Sequence, residues 1–343
     1  MRLCVLLPGK DEALVIARTI QSVLDTGMPA VDVYVVDDGS SDGTEAIARS
    51  FEGVNVLRNE KNIGKAHSIL RANETYRLSD RYGAVCLMDA DSTIDKDYYK
   101  KVAAAFQRKD NVAVVSANTK SIPHNWLTAY RSMVYSVSNF IYKQGQDAMG
   151  VVTVVPGFAA SYSAKAFAQL TWDSDTVVED MDTTIQIHRK GLGRIVYAPE
   201  AHAYTQDPAT VHDYVKQIYR WHTGAWQVGK KHKMFTGTSK IDWEFKFLMG
   251  EGVIFSMFYL LLPLWLLIWP KIVMVALILE LLVMTGTSLL CAVITRRWDI
   301  ARYCPTFTVV RAIDCSVLTY SFLATVVMGK QERNWNSVKR YVS

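Results

Sequence analysis

The chain has 343 residues, half of them apolar, and a formal net charge of +5. That length allows one large or two small domains with a sizeable core, and so modest a positive balance gives no footing for a nucleic-acid partner. Five cysteines (Cys4, Cys86, Cys291, Cys304, Cys315), odd in number, widely spaced and mostly in apolar runs, exclude a disulfide framework or a metal knuckle and suit a reducing compartment.

The opening MRLCVLLPGKDE has too short an apolar core for a signal peptide. Up to about Phe245 the chain reads as a soluble α/β domain, and from Phe247 onward as membrane. Leu3 to Leu7 is a strand pattern stopped by Pro8 and Gly9, and Asp11 to Leu24 carries helical spacing. Val31 to Val36 gives a second strand that ends in Asp37-Asp38-Gly39-Ser40. Acids and glycines at a strand's end, followed by a helix from Glu45, place carboxylates and free backbone amides where an α/β sheet binds ligands. A plain turn and helix cap is the competing reading. Val54 to Leu57 is a third strand, and Asn62 to Ala66 opens a helix whose Lys65 could reach a phosphate or simply be solvated.

Ala84 to Met88 suits a buried strand of a mostly parallel sheet. It runs into Asp89 and Asp91, which could hold a hard divalent cation, or form a solvated turn. Val112 to Ser116 reads as another strand and Trp126 to Tyr142 as a helix. The stretch VVTVVPGFAASYSAKAF brings Gly157 and Phe158 next to the small residues Ala159, Ala160 and Ser161, leaving room for a close-lying ligand or for tight packing. A helix starting near Glu179 puts Glu179 or Asp180 in its first turn, where an acid is stabilised by the helix dipole and is commonly a cap. In HDYVKQIYRWHTGAWQVGK, helical spacing sets Gln217, Arg220 and Trp221 on one face. Such an Arg can hold a diphosphate and such an indole can stack on a sugar ring, while an amphipathic helix on a membrane surface explains the same residues.

The order of Pro8–Glu12 (PGKDE), Val35–Thr44 (VVDDGSSDGT), Asn62–Ala66 (NIGKA) and Met88–Ser92 (MDADS) resembles the family-two inverting glycosyltransferases, and Gln217, Arg220 and Trp221 match the Q-x-x-R-W pattern of its processive members, which make cellulose, chitin, hyaluronan and poly-N-acetylglucosamine. The resemblance implies an α/β fold: a GT-A domain, a Rossmann-like mixed sheet, on the cytoplasmic side, with C-terminal transmembrane and interfacial helices. It also implies a UDP-sugar donor and a Mg or Mn ion. Carried onto matching positions, Asp38 contacts the base with Asp37 beside it, Asp89 contacts the donor's ribose or phosphates, and Asp91, with Asp89, is the metal ligand. Lys65 and Arg220 join the donor site. Gly157, Phe158, Gln217 and Trp221 face the acceptor, in a segment that lacks the family's usual Cys. V-V-E-D stands for the family's T-E-D, which makes Asp180, with Glu179 beside it, the expected catalytic base.

The expected domains are the catalytic domain over 1–210, amphipathic interface helices over 211–246 and a membrane region over 247–343. Spans are expected over 247–269 and 272–294. A third full span over 306–328 would put the basic tail (Lys330, Arg333, Lys339, Arg340) opposite Arg296, Arg297 and Arg302, against the positive-inside tendency. That stretch is therefore expected as an interfacial or re-entrant helix of an integral membrane protein, with both termini cytoplasmic. Glu280 near mid-bilayer should hydrogen-bond within the protein.

The reading that follows is a metal-dependent transferase extending a β-linked polysaccharide at the membrane. So few helices make a thin wall for a polymer channel, and a homo-oligomer would be one way to supply more. The alternatives are a single addition to a polyprenyl-phosphate or other lipid-linked acceptor, and an inactive scaffold or sensor of the same fold. The sugar and its linkage are not legible.

Overall fold

The computed structural model of the chain describes residues 1–330, 340 and 341. Its strands are Leu3–Gly9 (β1), Val33–Asp37 (β2), Asn55–Arg58 (β3), Ala84–Leu87 (β4), Thr93–Ile94 (β5), Val112–Ser121 (β6), Ala160–Ser163 (β7) and Arg194–Thr205 (β8). They form one sheet in the order β3-β2-β1-β4-β7-β6-β8-β5. β1 to β4 are parallel, β7 runs antiparallel to both β4 and β6, and β5 runs antiparallel to β8. The sheet is thus mixed, as expected, with its parallel half built from the first four sequence strands.

Successive side chains of a strand point to opposite faces. Along β1, Leu3, Val5 and Leu7 enter one apolar core, whereas Cys4 and Leu6 enter the other. Both faces are therefore covered, by helices such as Ile16–Leu24 and Lys65–Tyr76, and the ligand-accessible part of the parallel half is the edge where its strands end.

The chain forms two compact units. The first holds Met1–Lys120, Ile141–Gln206 and the described C-terminal residues 340 and 341, and the second holds Ser121–Phe140 with residues 207–330. The units meet at 206/207, near the boundary expected at 210, but Ser121–Phe140 belongs to the second unit and residues 340 and 341 to the first. The helix Trp126–Val137 belongs to the second unit, where Leu127, Tyr130 and Met133 share a core with Tyr214, Ile218, Met284 and Phe307. Apolar spacing announces such a helix without saying which core it enters.

In the second unit the helix Val211–Lys231 contains the Q-x-x-R-W residues. The helix Pro270–Thr295 and the helical run Trp298–Val327 are each long and apolar enough to cross a membrane. The stretch 247–269 is not the straight span expected: the helices Lys240–Leu260 and Leu262–Ile268 meet at a 60° bend. Pro263, at the start of the second of these, has no N–H to donate and its ring crowds the carbonyl of Tyr259, so the helix breaks there.

The stretch 306–328, expected at the interface, lies in a run that meets the length and apolarity for crossing, and its two charges are matched inside the protein. Asp314 accepts hydrogen bonds from the hydroxyls of Tyr130 (2.8 Å) and Tyr214 (2.7 Å). Arg311 lies 3.4 Å from Glu280 and over the ring of Phe255. Glu280 also accepts from the Tyr259 hydroxyl, the intraprotein hydrogen bond expected of it. Of the expected basic tail, Lys330 is exposed, Arg340 lies in the first unit, and Arg333 and Lys339 fall outside the described residues.

Candidate active site

β4 ends at Leu87 and the chain turns through Met88-Asp89-Ala90-Asp91 at the carboxyl edge of the parallel strands. The turn is held tightly. The Thr19 hydroxyl donates to the Ala90 carbonyl at 2.8 Å, and the Ser92 N–H donates to the Asp89 carbonyl at 3.1 Å. A Cβ at position 9 would come within 2.7 Å of the Ala90 Cβ, so only glycine at the end of β1 lets the acidic turn lie this close. Gly9, Glu12, Asp38, Lys65, Asp89 and Arg340 line one cleft there.

Lys65, the first residue of the helix Lys65–Tyr76, joins two of the expected site elements. Its Nζ lies 2.6 Å from Asp89 Oδ1 and 2.7 Å from Glu179 Oε1. Burial opposes its charge, but the two carboxylates outweigh burial and raise its pKa, so the ammonium persists throughout the physiological range. Sequence reading offered Lys65 to a phosphate; it stands at the cleft wall already paired.

Glu179 opens the helix Glu179–Lys190, as the dipole argument anticipated. Asp180, half-buried beside it, accepts from the N–H of Met181 at 2.8 Å through one oxygen and from the N–H of Gly157 at 3.2 Å through the other. Burial and then the neighbouring Glu179 raise the Asp180 pKa, against the lowering effect of Lys65. The environment is one that pushes a carboxylate toward a general base.

Gly157 thus meets the Asp180 carboxylate through its backbone. A Cβ there would lie 3.0 Å from Lys65 Nζ and 3.4 Å from Glu179 Oε1. Small size at position 157 serves the packing of this charged cluster, while Phe158 packs against the core of one sheet face. Below them the buried Lys143 donates to the Val154 carbonyl, and burial lowers it to about 7, against the pull of Asp180.

The two acids after β2 differ from expectation. Asp37 has no exposed surface: one oxygen accepts from the Ser40 N–H at 3.0 Å and the other pairs with Arg58 at 3.1 Å. Enclosed in this way, Asp37 offers nothing to a nucleobase and instead fixes the turn and β3. Asp38 lines the cleft, but it accepts from Asn59 Nδ2 (2.7 Å) and from the N–H groups of Ile63 and Gly64 (2.9 Å each). It clamps the loop that delivers Lys65.

Asp91 is buried, and its carboxylate lies 2.6 Å from Arg340 Nη1. Arg340 Nη2 and Nε also donate to the two oxygens of Glu12, at 2.6 and 2.8 Å. Burial raises Asp91 against the pull of Arg340, and burial raises Glu12 to about 7. A guanidinium held by two buried acids shows that this position is built for positive charge. Among the described residues no three metal-ligating side chains converge into a self-sufficient cage. The neighbouring carboxylates of Asp89 and Asp91 are of the kind a Mg or Mn site uses, since it takes one or two carboxylates and completes its shell with water and substrate phosphates. The residues therefore fit the expected ion.

Glu12 and Arg340 were not among the residues singled out by sequence. Glu12 lies in the quoted Pro8–Glu12 motif, whereas Arg340, read as tail, carries no local signal.

Gln217, Arg220 and Trp221 lie on the helix Val211–Lys231 of the second unit. Gln217 Oε1 is buried without a hydrogen-bond partner among the described residues. Trp221 is half-buried and carries the guanidinium of Arg131 4.6 Å from its ring centroid, while Arg220 stays partly exposed.

Residues 4–171 match the model of glycosyl transferase family 2. The chain is 26% identical over 228 residues to a poly-beta-1,6-N-acetyl-D-glucosamine synthase of Staphylococcus epidermidis, and 25% identical over the same length to that of Staphylococcus aureus. The match covers 65% of this chain and 54% of each relative, so the chain spans about half the length of these proteins. In structure it is similar to a mannosyltransferase from Pyrobaculum calidifontis solved with GDP-Man and Mn2+. The TM-score is 0.61 at 18% identity, over 92% of this chain and 86% of the other. Residues 4–171 thus form a glycosyl transferase family 2 domain, and the mixed sheet with its acidic turn at the carboxyl edge, together with a structural likeness along nearly the whole chain, shows a GT-A fold.

Proposed function

We propose that the chain transfers a hexosyl residue, with inversion, from a UDP-sugar to a growing β-linked polysaccharide at a membrane. The observation that carries the transfer reading is the cluster in which Lys65 joins Asp89 of the acidic turn to Glu179, next to Asp180. The polymer reading draws support from the named synthases at 26 and 25% identity and from Gln217, Arg220 and Trp221. They make UDP-N-acetylglucosamine the first donor to test.

Asp91, with Asp89, would hold a Mg or Mn ion, which supplies positive charge to the donor diphosphate. Asp180 takes the proton of the acceptor hydroxyl as that oxygen bonds to the anomeric carbon. The bond from that carbon to the diphosphate breaks, and its electron pair leaves with UDP. The N–H groups of Met181 and Gly157 keep the carboxylate of Asp180 aimed, and a pKa raised by burial makes it a stronger base than a free aspartate. The Lys65 ammonium keeps Asp89 and Glu179 from repelling one another. Arg220 is assigned to the diphosphate and Trp221 to the acceptor's terminal sugar. Apolar helices such as Pro270–Thr295 would fix the enzyme in the bilayer.

The test is to incubate detergent-purified protein with Mg or Mn and radiolabelled UDP-N-acetylglucosamine beside other UDP-sugars, and to size the products. A ladder or long polymer from one donor is expected. One sugar added to a lipid, or nucleotide release without chain growth, would overturn the polymer reading.

A further inference from the structure

We propose that Arg131 is a positioning residue for the acceptor, acting by holding the indole of Trp221. This rests on the acceptor role given above to Trp221. Arg131 projects from the helix Trp126–Val137 and is only 3% exposed. Its guanidinium carbon lies 4.6 Å from the ring centroid of Trp221 and 4.6 Å from that of Tyr135. Nε donates to Asp207 Oδ1 at 2.9 Å, and the Tyr135 hydroxyl donates to the same oxygen at 3.3 Å. One planar cation therefore contacts two aromatic side chains and is anchored by a buried acid. All four residues belong to the second unit.

Stability alone does not account for this arrangement. A buried ion pair gives up its hydration, and an apolar replacement of similar volume is often as stable. Here the pair is also short of hydrogen bonds: Arg131 Nη2 and Asp207 Oδ2 are both buried with no partner among the described residues. What the pair does secure is geometry. An Arg locked by its carboxylate is a fixed plate, and a cation lying over an indole restrains the ring's rotation and orientation. Trp221 is left half-buried, so the rest of its ring can meet a ligand. An aromatic platform for a sugar gives specificity only if it is held to a fraction of an ångström by its supporting residues.

The substitution to make is Arg131→Lys, which keeps the charge beside Asp207 and removes the planar contact. Arg131→Met is the second variant, should an ammonium at this site prevent folding. Rates are measured with UDP-N-acetylglucosamine and a short β-1,6-linked N-acetylglucosamine oligomer. The KM for the oligomer should rise about tenfold, with a much smaller change in kcat at saturating oligomer and in the donor KM. A folded variant whose oligomer KM stays within about twofold of the parent's would overturn the inference, provided Trp221→Ala raises it. If Trp221→Ala leaves the oligomer KM unchanged as well, the acceptor role of Trp221 is what fails.

Discussion

Asp180 offers the most direct test of the chemistry at the level of single residues. Asn keeps the shape and its one amide oxygen can still accept from one of the two backbone N–H groups, but it cannot take a proton. Asp180→Asn should therefore lower transfer by at least about 10²-fold while donor binding, measured by calorimetry, stays close to the parent value. The same group sets the acid limb of the pH profile. A base works only when deprotonated, and burial with Glu179 raises its pKa. The kcat/KM should thus begin to fall at a pH above the ordinary aspartate range as pH is lowered, and a limb at or below that range would remove Asp180 from the role.

Arg340 gives a second test. Its guanidinium neutralises Asp91 and Glu12. Arg340→Ala leaves two buried acids without a counter-charge, so Mn2+ affinity in the absence of nucleotide should rise about tenfold or more, read from free Mn2+ by electron paramagnetic resonance. Unchanged affinity would mean that Asp91 is not a metal ligand. At this scale the sequence spoke through motifs. It placed Asp89, Asp91, Lys65, Glu179 and Asp180 on the page, and the fold brings Lys65, Asp89, Glu179 and Asp180 together in one cluster. It misjudged Asp37, because acidity at a strand end does not reveal whether the side chain turns outward or is enclosed by Ser40 and Arg58. It was silent on Arg340, since contact across more than 240 positions leaves no local pattern.

Among the elements, strands and helices up to β4 follow apolar runs broken by Pro, Gly and Asp, which is why they were legible. The segment 151–156 was less so: its β-branched run suggests a strand, yet it has no regular structure before Gly157. Its backbone is tied instead by Lys143, which donates to the Val154 carbonyl, and by Thr184, whose hydroxyl accepts from the Val155 N–H at 3.0 Å. The apolar helix Phe307–Phe322 was harder still, because Asp314 argues against burial unless its partners are known. They are Tyr130 and Tyr214, from two other helices. Replacing both by Phe removes the donors and leaves a carboxylate buried without them. The double variant should lose about 1–3 kcal/mol or more, seen as a lower midpoint in thermal unfolding in detergent. Asp314→Asn, whose amide can still accept from one hydroxyl and donate to the other, should lose less. Equal losses would show that the hydroxyls do not hold Asp314.

For the whole molecule, the decisive fact is that Met1 and Arg340 belong to the same compact unit. A membrane crossed by the chain between them must be crossed back, and only helices can cross without stranding backbone polar groups in lipid. Among the described residues three candidates are available: the bent pair 240–268, Pro270–Thr295 and Trp298–Val327. We propose that two cross and one does not, which keeps the count even. Charge decides which. Arg296, Arg297 and Arg302 cluster after Pro270–Thr295, and such a cluster favours the side that holds the catalytic unit. On that proposal the bent pair and Pro270–Thr295 are the two crossings, and Trp298–Val327 stays on the face where it starts, with Arg311 and Asp314 matched inside the protein. Cys304, the one cysteine that is not buried, sits at the start of that last run. In sealed vesicles a membrane-impermeant thiol reagent should label Cys304 from the same side as tags on the two termini. Labelling from the opposite side would make Trp298–Val327 one of the crossings and overturn this topology, and tags found on opposite sides would overturn the even count itself.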